Sequence, residues 1–328
     1  MKALVATKYG SPDVLNLKEV EKPAPMEDEV LVKICAASVN AGDWHLLRAD
    51  PFLTRLAFGF LRPKHKILGS DVAGRVEAVG GNVTQFQPGD EVFGDLSGCG
   101  FGGFAEYVCA SEDALALKPA NISFEEAAAV PSAAATALQG LRDRGQIQQG
   151  QTVLVNGASG GVGTFAVQIA KSFGAEVTGV CSTSKMDMVR SIGADQVIDY
   201  TEEDFTKNGR RYDLILAANG NQPISAYKRA LSPKGICVMS GGSGPQMFQS
   251  MVLGPIISMT GNKKMDNLLK KSNKKDLVVL KVFLEAGKIT PVIDKTYPLA
   301  EVPEAIGYLE NGHARGKVVI RVPGEGAR

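Results

Sequence analysis

The chain reads as an α/β protein in two parts: a compact β-barrel or sandwich, then a doubly wound parallel sheet. Three observations predict this. Up to about residue 122 the apolar residues come in short alternating runs separated by turn chemistry, the pattern of many short strands. From Thr152 candidate strands alternate with helices, which implies a parallel sheet with crossover helices. Between the first of those strands and its helix stands a glycine turn, Ala158-Ser159-Gly160-Gly161-Val162-Gly163.

Taken in order, MKALVATKYG enters an alternating pattern at once, so no signal peptide is expected. In EVLVKICAA, Val30, Val32, Ile34 and Ala36 alternate with other residues, as in a half-buried strand. Short apolar runs follow at Val72–Val79, Glu91–Phe93 and Ala105–Val108, set off by turns such as GGN and QPGD. Ser123 and Glu126 have the form of a capping box opening an alanine-rich helix, which Pro131 splits in two. Candidate strands then fall at Thr152–Asn156, Glu176–Cys181, Gln196–Asp199, Asp213–Ala217 and Gly235–Ser240. Helices are expected between them, at Gly163–Phe173 and Pro223–Leu231. The tail adds a helix from about Asp276 to Ala286 stopped by Gly287, a strand near Ile289–Tyr297, a helix near Val302–Asn311 and a last strand Lys317–Val322.

Composition narrows the function classes. The 328 residues suffice for two domains with substantial cores, and 44% hydrophobic with 22% charged residues is ordinary for a soluble globular chain. A net charge of +1 gives no whole-chain attraction to nucleic acid or anionic membrane. No apolar run approaches the roughly 18 residues of a spanning helix. Five scattered cysteines, Cys35, Cys99, Cys109, Cys181 and Cys237, form neither a disulfide framework nor a C-x-x-C pair, so a reducing cytoplasm is expected.

The glycine turn carries the clearest chemistry. Gly160 and Gly163 fill the second and third places of G-x-G-x-x-G, and Ala158 stands in the first. Gly160 would let the backbone approach a pyrophosphate, Gly163 would let helix and strand pack closely, and the helix N-terminus would favour the anion. Val162, Phe165, Ala166, Ile169, Ala170 and Phe173 are expected on one buried face. The alternative is a turn serving packing alone, but the strand before and the amphipathic helix after are the required context for a dinucleotide. An acid about 20 residues on would mark NAD; that place holds neutral Cys181, followed by Ser182 and Lys185. A hydroxyl and a cation suit a 2′-phosphate, so NADP(H) is expected. Lys185 has the competing reading of a solvated helix-start lysine.

Besides ASGGVG, the stretches VNAGDWHLLR, PKHKILGSDVAGRVEAVG, FQPGDEVFG, GGFAEYV, AAVPSAAATALQGL and GKVVIRV run over nearly the whole chain. Together they resemble the medium-chain dehydrogenase/reductase superfamily, and within it the zinc-free quinone oxidoreductase branch that includes zeta-crystallin-like proteins. PKHKILGSDVAG looks like the subgroup of the plant chloroplast-envelope quinone oxidoreductase homologue. The resemblance implies a GroES-like domain at 1–122 and 296–328, a Rossmann NADP(H)-binding domain at 123–295, an active site in the cleft between them, and a homodimer. It also implies where zinc ligands would stand in zinc alcohol dehydrogenases: a cysteine at Asn40 and a histidine at Ser70. Neither residue type is a usual zinc ligand, and catalytic zinc needs three protein ligands. No metal is therefore expected, and His45, His65 and the cysteines are not read as a disguised site.

Without a Lewis acid, hydride passes most easily to an acceptor that delocalises the incoming charge, a quinone or an α,β-unsaturated carbonyl. The resemblance places Asn40, Asp43 and His45 beside the nicotinamide. Asn40 would donate to the substrate oxygen, Asp43 would order the loop, and His45 or solvent would give the proton; the alternative is a polar loop held by its own turn bonds. By the same resemblance Thr136 would contact the nicotinamide end, Tyr200 would lie with Lys185 near the adenosine phosphate, and Gly220, Ser240 and Gly241 would line the cofactor channel. Tyr200 reads equally well as a packing aromatic. Phe52–Phe60 would cap an apolar substrate or form a packed loop. The lysine-rich 262–276 segment can touch an anionic membrane surface, but a solvated helix face is the preferred reading. The rival functions are a reductase specific for reactive lipid carbonyls and an NADPH-binding crystallin-like or RNA-associated protein with little turnover.

Overall fold

A computed structural model describes residues 1–52, 54–220, 222–242 and 244–323. Leu53, part of the apolar Phe52–Phe60 run, lies outside the described residues. The early strands are β1 (Lys2–Ala6), β2 (Leu15–Glu19), β3 (Glu29–Val39), β4 (Asp71–Val79), β5 (Glu91–Asp95), β6 (Tyr107–Ser111) and β7 (Leu115–Leu117). They are followed by β8 (Thr152–Asn156), β9 (Glu176–Cys181), β10 (Gln196–Asp199), β11 (Tyr212–Ala217), β12 (Leu231–Met239) and β13 (Lys264–Asn267). The last two are β14 (Ile293–Pro298) and β15 (Lys317–Arg321). The chain divides into two compact units: Met1–Ser132 with Lys271–Ala286 and Pro291–Arg328, and Ala133–Lys270 with Gly287–Thr290.

In the first unit β3 is the organising strand. Its alternating Val30, Val32 and Ile34 are all but fully buried, and Val39, Val72, Leu115, Val318 and Ile320 share their core. It pairs antiparallel with β4, β6 and β15, in a sheet ordered β14-β15-β3-β4-β5-β7. The registers Val39↔Val318 and Ser38↔Asp71 bring the end of β3 beside the starts of β15 and β4. That convergence builds the polar cluster described below. The capping box at Ser123 forms as expected: Ser123 Oγ accepts from Glu126 N at 3.1 Å, and the Glu126 carboxylate accepts from Ser123 N at 2.8 Å. The helix Phe124–Ala128 packs on this sheet, and Pro131 opens a second helix, Pro131–Leu138.

The Phe52–Phe60 run contains a short helix, Thr54–Phe58, tethered by the Tyr9 hydroxyl donating to the carbonyls of Phe58 and Gly59. Phe52, Leu56 and Phe60 remain exposed, so the packed-loop reading does not hold.

The second unit is a parallel sheet ordered β10-β9-β8-β11-β12-β13, two three-strand halves meeting at β8 and β11. This is the doubly wound order, whose reversal point lies between β8 and β11. Helix Gly161–Ser172 differs from the expected one-sided burial. Thr164, Val167 and Gln168 are buried along with Phe165, Ala166 and Ile169, while Val162 and Phe173 are only partly so. The Gln168 amide accepts from Thr290 N at 2.7 Å and donates to Thr290 O at 3.0 Å. The segment Gly287–Thr290 thus covers the side of the helix that periodicity left open.

The lysine-rich segment is not a solvated helix face. Lys264–Asn267 forms β13, the edge strand on β12, and helix starts only at Lys274. Within the strand Met265 is buried against the sheet while Lys264 points out. Among the described residues no helix is long and apolar enough to cross a membrane.

Candidate functional site

The glycine turn follows β8 directly. Gly157 takes a left-handed φ of +84°, and a Cβ there would lie 2.9 Å from Asn219 Cβ and 3.0 Å from Asn219 N. The tight turn is therefore made by Gly157, one residue before the Ala158 that the motif count singled out. Ala158 is buried, and the N–H groups of both residues donate to Val180 O on β9. At Gly163 a Cβ would sit 2.0 Å from Gly157 O and 2.7 Å from Ala158 Cα, so only glycine permits this helix-to-strand approach. Gly160 is different. Its backbone is extended, with φ −86° and ψ 176°, and a Cβ there would meet only Gly157 O, at 3.6 Å. Space lies open in front of it. Thr164 N bonds Gly160 O at 2.9 Å, and the preceding N–H groups of Gly161, Val162 and Gly163 have no acceptor within the helix. Ser159 is buried at the foot of the turn. The cradle fits a pyrophosphate: backbone donors, a positive helix end and a position a methyl would fill.

At the end of β9, Cys181 is buried, and burial pushes its thiol up to about 11, so it is neutral near pH 7. Ser182 precedes a 3₁₀ turn, Thr183–Lys185, closed by Lys185 N on Ser182 O at 3.0 Å. β10 runs alongside with Asp199 opposite Cys181, and Tyr200 N donates to Cys181 O at 3.1 Å. Ser182, Lys185 and Tyr200 therefore gather at one strand end. Tyr200 is 61% exposed, which removes the packing-aromatic reading. Asp199 was not among the residues expected at this site. Its carboxylate accepts from Thr183 Oγ1, from Thr201 N at 2.9 Å and from Thr201 Oγ1 at 2.7 Å, and these bonds hold it below the usual carboxylate range. An acid thus stands beside the end of β9 but on the neighbouring strand, committed to the turn that carries Ser182 and Lys185. The D-x-T spacing of Asp199 and Thr201 was the available signal.

Thr136 is the one position of helix Pro131–Leu138 that is not fully buried. Gly220, Ser240 and Gly241 lie just beyond the carboxyl ends of β11 and β12, with Gly220 bridged to Gly242 and Ser240 N bonded to Ala217 O at 3.0 Å. A Cβ at Gly220 would meet the Tyr227 hydroxyl at 2.6 Å, and one at Gly241 would meet Ala218 O at 2.4 Å. Packing within the unit already accounts for both glycines. Below them the Asn156 amide donates to the buried Tyr227 hydroxyl at 2.7 Å, and burial raises that phenol.

The first unit holds a separate polar cluster. Asn40 begins the helix Ala41–Arg48, and the Asp43 carboxylate reaches back to accept from Asn40 N at 2.7 Å and from Gly69 N at 3.3 Å. Asp43 is buried; burial pushes its carboxyl up to about 7, and the neighbouring Asp71 charge adds to the rise against the pull of its N–H donors and Lys317. The Asn40 side chain turns from the helix. Its Nδ2 donates to Asp71 Oδ2 at 2.9 Å and to Ser70 Oγ at 3.3 Å, and its Oδ1 accepts from the Lys317 ammonium at 2.5 Å. Asp71 also accepts from Ser38 Oγ at 3.1 Å and Ser132 N at 3.0 Å, and Ser70 Oγ lies 3.4 Å from Ser132 Oγ. Lys317 had not been singled out; its register opposite Asn40 is invisible until β15 is paired with β3.

The structure thus joins Asn40 and Asp43 in one network. His45 is elsewhere. Two residues past Asp43 is about 200° around the helix, and the His45 ring stacks on Trp44 with its Nδ1 bonded to Asp50 O at 2.9 Å. Since a carbonyl only accepts, Nδ1 carries the proton in that bond.

Zinc does not fit this cluster. The two positions implied as ligands, Asn40 and Ser70, do meet, but they offer an amide whose oxygen is bonded to an ammonium and a hydroxyl already hydrogen-bonded. The adjacent carboxylate, Asp71, lies 3.6 Å from Lys317 Nζ, so a metal ion would have to displace or repel a buried cation. Among the described residues no group of three or more His, Cys, Asp or Glu side chains is arranged to hold a metal.

Residues 26–120 match the alcohol dehydrogenase GroES-like domain family, and residues 192–320 match a family described as zinc-binding dehydrogenase. The 2-methylene-furan-3-one reductase of Solanum lycopersicum is 40% identical over 98% of this chain and 79% of its own length. A chloroplastic NADPH-dependent alkenal/one oxidoreductase of Arabidopsis thaliana is 36% identical over the same shares. Among solved structures, the quinone oxidoreductase from Coxiella burnetii superposes with a TM-score of 0.88 at 30% identity, covering 98% of this chain and 99% of that one. With the glycine turn, the doubly wound sheet and these matches in hand, the chain belongs to the medium-chain dehydrogenase/reductase superfamily, in its quinone oxidoreductase branch.

Proposed function

We propose that this protein is an NADPH-dependent, zinc-independent reductase that passes hydride to a quinone or an α,β-unsaturated carbonyl. The observation that carries the reading is a buried ammonium, Lys317, bonded to Asn40 in a family whose zinc members place a metal ligand there. The relatives named for an alkenal/one and a 2-methylene-furan-3-one favour an activated alkene within that substrate class. The second unit is assigned as the NADP(H)-binding domain and the first as the GroES-like catalytic domain.

The backbone N–H groups of Ser159, Gly161, Val162 and Gly163 would hold the pyrophosphate, with Gly160, whose own N–H is bonded to Gly157 O, leaving room for its approach, and Ser182, Lys185 and Tyr200 would hold the 2′-phosphate. Thr136, Gly220, Ser240 and Gly241 would flank the rest of the dinucleotide. When bound, NADPH supplies the hydride. The chain's own part is to orient the acceptor and stabilise the oxyanion that forms. Asn40 has one strong N–H bond, to Asp71, and one long one, to Ser70; the second would transfer to the acceptor oxygen as charge develops. Asp43 orders Asn40 through its backbone N–H. The proton comes from solvent; with Nδ1–H donating to Asp50 O, the neutral His45 ring carries no proton on Nε2 and would have to be an imidazolium to supply one. All five cysteines are free thiols, which supports a reducing compartment such as the cytoplasm, and the family resemblance supports a homodimer.

The test is NADPH consumption with an alkenal and with a quinone, before and after exhaustive chelation. Equal rates before and after, on at least one acceptor, are expected. Loss of activity on chelation with recovery on adding zinc would overturn zinc independence. Tight NADPH binding with no turnover on a broad acceptor panel would favour a binding protein instead.

A further inference from the structure

We propose that Lys317 is a positioning residue: its buried ammonium, bonded to Asn40 Oδ1, fixes the Asn40 amide so that its N–H groups, never its carbonyl, face Ser70, Asp71 and the acceptor oxygen. The proposal rests on Asn40 being the group that meets that oxygen. The amide is nearly symmetric in shape, so packing alone does not distinguish its two orientations. Electrostatics does. In the observed orientation the carbonyl meets a cation and the NH2 group meets the Asp71 carboxylate. A flip would set N–H against ammonium and oxygen against carboxylate, two repulsive contacts in a site where Asp71 is fully buried and Lys317 nearly so.

The placement is built into the sheet. β15 pairs with β3 in a register that carries Lys317 opposite Asn40, and the lysine also donates to Val39 O at 3.3 Å. Its three N–H donors thus have the Asn40 amide oxygen, a backbone carbonyl and, at 3.6 Å, Asp71 before them. Burying an ammonium and a carboxylate is a weak way to gain stability, since an apolar pair of similar size does as well or better. What an apolar pair cannot do is choose which end of an amide points where. A cation on the carbonyl also polarises the amide and makes its N–H groups stronger donors.

The test uses the full chain and two variants, Lys317→Met and the charge-balanced Lys317→Met/Asp71→Asn. The double variant removes both buried charges and is expected to recover most of the melting temperature lost by the single one. NADPH affinity should stay within about twofold of wild type in both, while kcat for an alkenal falls about 10- to 100-fold and does not return in the double variant. Recovery of kcat together with melting temperature, or a Lys317→Met kcat within about twofold of wild type, would reduce Lys317 to a structural role. If wild type itself binds NADPH but reduces neither acceptor, the proposed function fails rather than this inference. The inference is then read from the Asn40 side-chain NH2 signals in ¹⁵N–¹H spectra. Two resolved, slowly exchanging protons in wild type that broaden or exchange rapidly in the double variant support it, and unchanged signals overturn it.

Discussion

Gly160→Ala separates folding from binding at the nucleotide cradle. The added methyl would meet one protein atom, Gly157 O, at 3.6 Å, an ordinary contact, and the backbone at φ −86° and ψ 176° is open to any residue. Replacing glycine at such a position stabilises by about 0.4–1 kcal/mol through the unfolded chain, so the melting temperature should hold or rise slightly. The same methyl would stand where the pyrophosphate must approach. Overpacking of one methyl costs about 1–3 kcal/mol, which is about 5- to 150-fold in NADPH affinity. Gly163→Ala is the control, because its Cβ would fall 2.0 Å from Gly157 O and 2.7 Å from Ala158 Cα, and helix or strand must move. That variant should lose stability first. Thermal unfolding and NADPH fluorescence titration on the same preparations read both effects. A Gly160→Ala protein that binds NADPH like wild type would refute the cradle assignment, and one that unfolds would show Gly160 to be a packing glycine.

Three further outcomes follow from the same geometry. Lys185→Ala should weaken NADPH about tenfold, the worth of one hydrogen bond to a charged group, and leave NADH unchanged in parallel titrations; equal loss for both would remove Lys185 from the 2′-phosphate. Asp43→Asn should change the pH dependence of stability. The wild-type carboxyl, raised from 3.8 to about 7, keeps a proton when folded that the unfolded chain has released. Its contribution is therefore greatest in acid and is lost as pH rises from about 4 through about 7, by at most about 1.4 kcal/mol per pH unit. Denaturant melts at pH 5, 6, 7 and 8 should show wild type losing ground to Asp43→Asn; parallel profiles would contradict the buried proton. His45→Phe should keep kcat within about threefold, well short of the 10²–10⁴ expected for a general acid, since the ring stacks on Trp44 and lies apart from the Asn40 network. A loss of a hundredfold with unchanged NADPH affinity would make His45 the proton donor.

The sequence was most legible where local chemistry decides structure. The strands Thr152–Asn156, Glu176–Cys181 and Gln196–Asp199 fall where alternation and flanking turns place them, because each lies between a turn and a helix with its own signals. The Ser123 capping box and the helix break at Pro131 follow from side chains three residues apart and from one missing N–H. The readings that changed are those set by distant partners. Gly157 rather than Ala158 makes the turn because Asn219, 62 residues on, closes over it. The helix Gly161–Ser172 is buried beyond its apolar face because Thr290 lies on Gln168. Lys264–Asn267 is a strand because β12 offers an open edge to pair with, which outweighs a lysine-rich composition. For the candidate site, Asn40, Asp43, Ser182, Lys185 and Tyr200 were named from sequence, and the structure draws the first two into one network and the other three to one strand end. Asp199 and Lys317 were not, since each matters through a neighbour that only strand pairing supplies.

We propose that hydride passes from NADPH to the β-carbon of an activated alkene without metal. This transfer is tested most directly by incubating the chelated protein with NADPH deuterated at C4 and an α,β-unsaturated ketone, then locating the label by NMR. A saturated ketone carrying deuterium on the β-carbon, with the carbonyl intact, is expected. Deuterium at the carbonyl carbon with an allylic alcohol as product would contradict it, as would unlabelled, unreduced ketone recovered from a protein that binds NADPH.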